Sequence, residues 1–120
     1  MHYFHVLRYE SLVDAVEDEM LALEVMRMVE QTLTKNQPLW SAPANCNDNL
    51  TQLQTLLHQF KGTLPMLTTP EFSQILQDET QYLKQHLAVS NSYPQLAKAL
   101  EKLKIEIGIA LALNTQKNQL

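Results

Sequence analysis

Apolar residues recur at three- and four-residue steps through most of this chain, the spacing of a single buried stripe on an α-helix. Between Tyr9 and about Lys35, Leu12, Val13, Val16 and Met20 form one stripe, and Leu21, Val25, Met28 and Val29 form a second. The phase shifts around Glu17 to Glu19, which predicts a short first helix followed by a longer one. Asn36 to Asp48 is punctuated by Pro38, Pro43, Asn45 and Asn47 and reads as a connection. A single helical turn is predicted near Pro38 to Trp40, with Trp40 docked back on the core. Leu50, Leu53, Leu57, Phe60, Leu64 and Leu67 then make one continuous stripe. Asp48 or Asn49 is the predicted cap of that helix, and Gln52 completes a capping box with Asn49.

Pro65 has no N–H to offer the carbonyl of Lys61, so the helix should bend or end there. Thr69-Pro70-Glu71 supplies a cap, a proline at the first helical position and an acid facing the dipole. The helix it starts runs to about Leu87, with Phe72, Ile75, Leu76, Leu83 and Leu87 inward. Ser90 to Pro94 is a turn. A last helix spans about Pro94 to Asn114 on the stripe Leu96, Leu100, Leu103, Ile107 and Leu111, and Thr115 to Leu120 should fray.

Short links between successive amphipathic helices favour antiparallel neighbours. The predicted fold class is therefore all-α: an antiparallel up-down four-helix bundle with an additional N-terminal helix, one domain over residues 1–120. Composition agrees, because 45% hydrophobic and 18% charged residues describe a globular chain, and two glycines and five prolines leave little material for hairpins.

Charge and cysteine content narrow the function classes. A net charge of −4 argues against nonspecific nucleic-acid binding. The early acids Glu10, Asp14, Glu17, Asp18 and Glu19 read as a solvated helix face, with a homodimer seam as the alternative and a monomer expected. Cys46 is the single cysteine, an unpaired thiol that suits a reducing compartment. No signal peptide is evident, and the most apolar stretch, Ile105 to Leu113, contains Glu106 and is too short to span a bilayer. A cytoplasmic protein without membrane partners is the natural expectation.

Few residues offer chemistry. His2 and His5 are spaced like two ligands on one turn, but no carboxylate or cysteine stands near to complete a metal site. His86 sits near a helix end, where a partly exposed imidazole suits the dipole. Met20, Met26 and Met28 are read as core packing rather than a plastic groove. No Ser/His/Asp order, Gly-rich phosphate loop or carboxylate pair is recognisable.

His58-Gln59-Phe60-Lys61-Gly62-Thr63 is different. Glycine in a helix interior costs about 1 kcal/mol against alanine, so Gly62 asks for a reason. His58 follows the stripe residue Leu57, and successive residues turn by about 100°, so His58 should face water. Lys61 at i+3 and Gly62 at i+4 share that outer face. The result is a nucleophilic imidazole, a cation one turn away and bare backbone where a partner could come close. Phosphoryl transfer needs little more, being mainly positioning and charge stabilisation.

That hexapeptide resembles the signature of the histidine-containing phosphotransfer (HPt) family: His, any residue, Leu or Phe, Lys, Gly and a small residue. Chain length, the leucine run Leu50 to Leu57 and the following helices are similar to that family as well. The resemblance implies a phosphorelay intermediate, not a self-sufficient enzyme, exchanging a phosphoryl group with receiver-domain aspartates of response regulators or hybrid histidine kinases. His58 would be the phosphoryl acceptor and Lys61 would steady the group. Gly62 would give the receiver room, with Gln54, Gln59 and Pro65 completing the partner-binding surface. No resident cofactor or metal is implied, since Mg²⁺ arrives with the receiver. A Gln or Glu from the facing helix often stands near the phosphoryl group in the family; Gln74, Gln77, Glu79, Thr80 and Gln81 are the candidates here. The sequence departs from the family at Leu64, Pro65 and Thr68, where small or polar residues and a second glycine are usual. The alternative is therefore a non-enzymatic helical adaptor, a degenerate HPt module that docks a partner without being phosphorylated.

Overall fold

Helix α1 (Tyr9–Val16) and helix α2 (Glu19–Lys35) are separated by two residues whose backbones do opposite things. Glu17 takes the left-handed conformation (φ 58°, ψ 22°) and closes α1, its N–H donating to the Val13 carbonyl at 2.7 Å. Asp18 is extended, and its carboxylate caps α2 by accepting from the Met20 and Leu21 amides at 2.9 and 3.3 Å. The predicted break is therefore present. The phase beyond it differs from expectation. Restarting the helix at Glu19 turns Ala22, Leu23, Met26, Val29 and Leu33 into the core, while Met20 and Met28 are 65% and 66% exposed and Leu21 is exposed too. Of the three methionines read as core, only Met26 is buried.

The computed structural model describes residues 5–43 and 46–118, with side-chain environments through residue 114. Expectations resting on His2, Asn45 and residues 119–120 lie outside these. The remaining helices are α3 (Gln37–Ser41), α4 (Asn47–Thr63), α5 (Pro70–His86) and α6 (Tyr93–Asn118), with a 3-10 turn at Leu64–Leu67. The regular elements among the described residues are all helical. Among the described residues the extended pairing is a lone antiparallel bridge between Leu7 and Thr68.

The predicted turn near Trp40 is α3. Trp40 is fully buried, its indole N–H donating to the Leu33 carbonyl at 2.8 Å. Its own carbonyl accepts the Tyr93 hydroxyl at 2.6 Å, tying the connection to the start of α6. Helix α4 begins earlier than predicted, at Asn47, and its N-cap is Cys46 with no side-chain cap bond, so the Asn49 capping box is not the start signal. The stripe Leu50, Leu53, Leu57, Phe60, Leu64 and Leu67 is buried throughout and is joined by Leu56. A fully buried leucine contributes roughly 1.5–3 kcal/mol before chain entropy is set against it.

Helix α4 ends at Thr63, and Pro65 lies in the tighter turn that follows, as the missing N–H requires. The Thr69 hydroxyl accepts the Phe72 amide at 3.2 Å and caps α5, as its sequence signals. Leu87 does not face inward. Helix α5 stops at His86, and Leu87 takes a left-handed cap conformation that swings it out to 42% exposure. Helix α6 continues four residues past the predicted Asn114, to Asn118.

Helix α4 packs on α5, α5 on α6 and α6 on α2; α1 lies against α2 and the 3-10 turn, and α3 sits between α4 and α6. Glu30 on α2 approaches Gly108 on α6, and Gln37 at the start of α3 bonds to Glu101 and Lys104 nearer the start of α6. The segment before α1 is fastened twice. The Arg8 amide donates to the Leu67 carbonyl (2.8 Å) and the Thr69 amide to the Val6 carbonyl (3.0 Å). On the other side the buried Glu106 carboxylate accepts the amides of His5, Val6 and Leu7 at 2.6, 2.8 and 2.9 Å.

Candidate functional site: a histidine face on α4

Burying Leu57, Phe60 and Leu64 fixes the rotation of α4, and that rotation puts His58, Lys61 and Gly62 in solvent on one face. Gly62 has ordinary helical backbone, since no glycine among the described residues has positive φ. Nothing lies within 4 Å of the position a Cβ would occupy. The fold therefore has no internal use for a glycine there. Gly108 is the contrast, because a Cβ at that position would meet Glu30 Oε2 at 3.2 Å, so its small size serves the α2–α6 contact.

An open cleft of about 390 Å³ flanks His58 on the side of α5. Thr51, Gln54, Thr55 and His58 from α4 line it, with Thr80 and Lys84 from α5, and no carboxylate is among them. The hydroxyl hydrogens are committed: Thr51 donates to the Asn47 carbonyl, Thr55 to Thr51, and Thr80 to Leu76. Neither Lys61 nor Lys84 has an ion-pair partner among the described residues.

The predicted partner-binding residues divide. Gln54 is half-buried in the cleft beside His58. Gln59 faces the other way, into a groove between α2 and α4 with Met28, Val29 and Thr32, as a 100° step demands. Pro65 is exposed in the 3-10 turn just beyond Gly62. The bulky Leu64 points into the core and does not crowd the histidine.

Of the five candidates on the facing helix, Thr80 alone lines the cleft. Gln74 donates to Asp78 at 2.8 Å, and Gln77 and Gln81 are exposed but outside the cleft. Glu79 is buried away from it, accepting from the hydroxyls of Ser90 and Ser92. Sequence reasoning missed Lys84. The available signal was its i+4 spacing from Thr80, which puts the two on one face.

The other candidates are dispersed. His5 is exposed and its backbone is held by Glu106. His86 is exposed in the last turn of α5, its ring centroid 4.2 Å from that of Tyr82. No group of three or more His, Cys, Asp or Glu residues among those described is arranged to hold a metal ion, and no helix among them is long and apolar enough to cross a membrane. Comparisons with protein-family models, with curated proteins and with solved structures find no match to this chain.

Proposed function

We propose that this chain is a divergent histidine-containing phosphotransfer domain, a relay protein that accepts and donates a phosphoryl group at His58. On this reading α2, α4, α5 and α6 are its antiparallel up-down four-helix bundle and α1 is the additional N-terminal helix. The chain acts as a cytoplasmic monomer on receiver domains of response regulators or hybrid kinases, which bring the Mg²⁺. The observation that carries the reading is Gly62: a helical glycine with empty space where a Cβ would lie, one turn from an exposed histidine and beside an exposed lysine with no ion-pair partner among the described residues. Bare backbone there suits a partner surface that must come close to His58.

The chemistry is a single displacement. A lone pair on an imidazole nitrogen attacks the phosphorus of the receiver's aspartyl phosphate. A P–N bond forms as the P–O bond breaks, the aspartate leaves as a carboxylate, and the imidazole N–H proton passes to water. Lys61 offers an ammonium to the phosphoryl oxygens as charge redistributes. Incubation with a phosphorylated receiver and Mg²⁺ should put acid-labile, base-stable label on His58. Absence of label with several cognate donors, or undiminished label on His58→Gln, would refute the proposal.

Pro65 favours a second reading. It lies about two turns past the histidine, in the 3-10 turn that ends the helical face, so the surface around Gly62 would serve as a docking site alone. Such an adaptor would bind its partner equally well as His58→Ala and lose binding as Gly62→Gln.

A further inference from the structure

The geometry points to Lys84 as a second phosphoryl-binding cation, reaching the group on His58 from the facing helix. The inference rests on the phosphotransfer reading and assigns part of the anion site to a residue outside the His-x-Phe-Lys-Gly stretch. An arriving phosphoryl group needs donors. In the cleft beside His58, the three threonine hydroxyls already donate to backbone carbonyls, so toward an anion they present lone pairs. That leaves the Gln54 amide and the Lys84 ammonium as the side chains with hydrogens to give.

Lys84 has no ion-pair partner among the described residues, and no carboxylate lines the cleft to compete for it. None of the three α5 acids lines the cleft: Glu79 is turned inward and accepts from Ser90 and Ser92, Asp78 accepts from Gln74, and Glu71 lies in the first turn of the helix. Lys61 stands on the outer side of His58 along α4, and Lys84 stands across the cleft on α5. A phosphoryl group on the imidazole would thus meet positive charge from two helices in a chain whose net charge is −4.

The test uses chemical phosphorylation, which requires no receiver. Potassium phosphoramidate phosphorylates exposed histidines, and the ³¹P signal that disappears in His58→Gln belongs to His58. A neighbouring cation favours the dianionic phosphoryl group and lowers its second pKa. In Lys84→Met that pKa, read from the ³¹P shift against pH, should rise by about 0.3 unit or more. Lys84→Arg should restore it, and 0.5 M salt should shrink the difference. A His58 signal with the same pKa in wild type and Lys84→Met overturns the inference and leaves the relay reading standing. A wild-type protein that gives no His58 signal also overturns it, since the cleft then admits no phosphoryl group. Failure to exchange with receivers, with the pKa difference intact, sinks the relay reading alone.

Discussion

The Glu106 carboxylate on α6 accepts the backbone amide of Val6, 100 residues earlier in the chain, at 2.8 Å. With the His5 and Leu7 amides on the same side chain, one residue holds three successive N–H groups. An unsatisfied buried donor costs about 1–3 kcal/mol. Glu106→Ala should therefore lower stability by about 3 kcal/mol or more, and Glu106→Gln, whose carbonyl still accepts, by clearly less. Urea midpoints at an unchanged m-value measure this; an alanine variant as stable as wild type would show that the segment is held by other contacts.

Tyr93 makes a pH-dependent contribution. Its phenol is buried, donates to the Trp40 carbonyl and lies within the field of Glu79; burial first, and that charge second, push its pKa well above the usual value. A raised phenol pKa adds stability that is complete below the unfolded value of about 10 and is lost as pH climbs from there toward the folded value. Stability should hold steady through neutral pH and fall above about pH 10. Tyr93→Phe should flatten that alkaline fall and cost about 1 kcal/mol at pH 7.

The two glycines should respond differently to alanine. Gly62→Ala meets nothing and gains helix propensity, so it should raise stability by about 0.5–1 kcal/mol. Gly108→Ala should gain less, because the Glu30 carboxylate 3.2 Å away must shift first. Chemical denaturation ranks them. If Gly62→Ala proved destabilising, the fold itself would need that glycine.

Activity and stability should separate at the histidine face. His58→Gln should change stability by no more than about 0.5 kcal/mol, as an exposed substitution does, while abolishing label. Lys61→Ala should slow phosphoryl exchange by about tenfold with an unchanged melting curve. Thermal melts beside quenched-flow labelling compare the two readouts.

Much of this was legible because local signals agreed with burial. The α4 leucines repeat without interruption, so the outward direction of His58, Lys61 and Gly62 followed from Leu57 and Phe60 alone. Thr69 acts through its own hydroxyl and Pro65 through its missing N–H, local features that a sequence displays directly. The α2 stripe was misread because Asp18 restarts the helix, and a restart shifts which of two interleaved apolar sets turns inward; Met20 and Met28 lost to Ala22 and Met26. Glu106 and Glu79 were beyond pattern reasoning. Each is a charged residue on a buried face, reconciled by partners far away or across a turn. The Thr80–Lys84 spacing puts those two on one face of α5, but that this face shares a cleft with His58 depends on how α5 packs on α4.

The bridge between Leu7 and Thr68 sets a practical boundary for fragment design. Trimming the protein to start at Tyr9 would keep every helix yet strip the Leu67 carbonyl and the Thr69 amide of their partners, just where the chain leaves the histidine helix. A shortened version made for crystallisation or screening would lose its hold on the very turn that carries Pro65, and its behaviour would describe the truncation more than the protein.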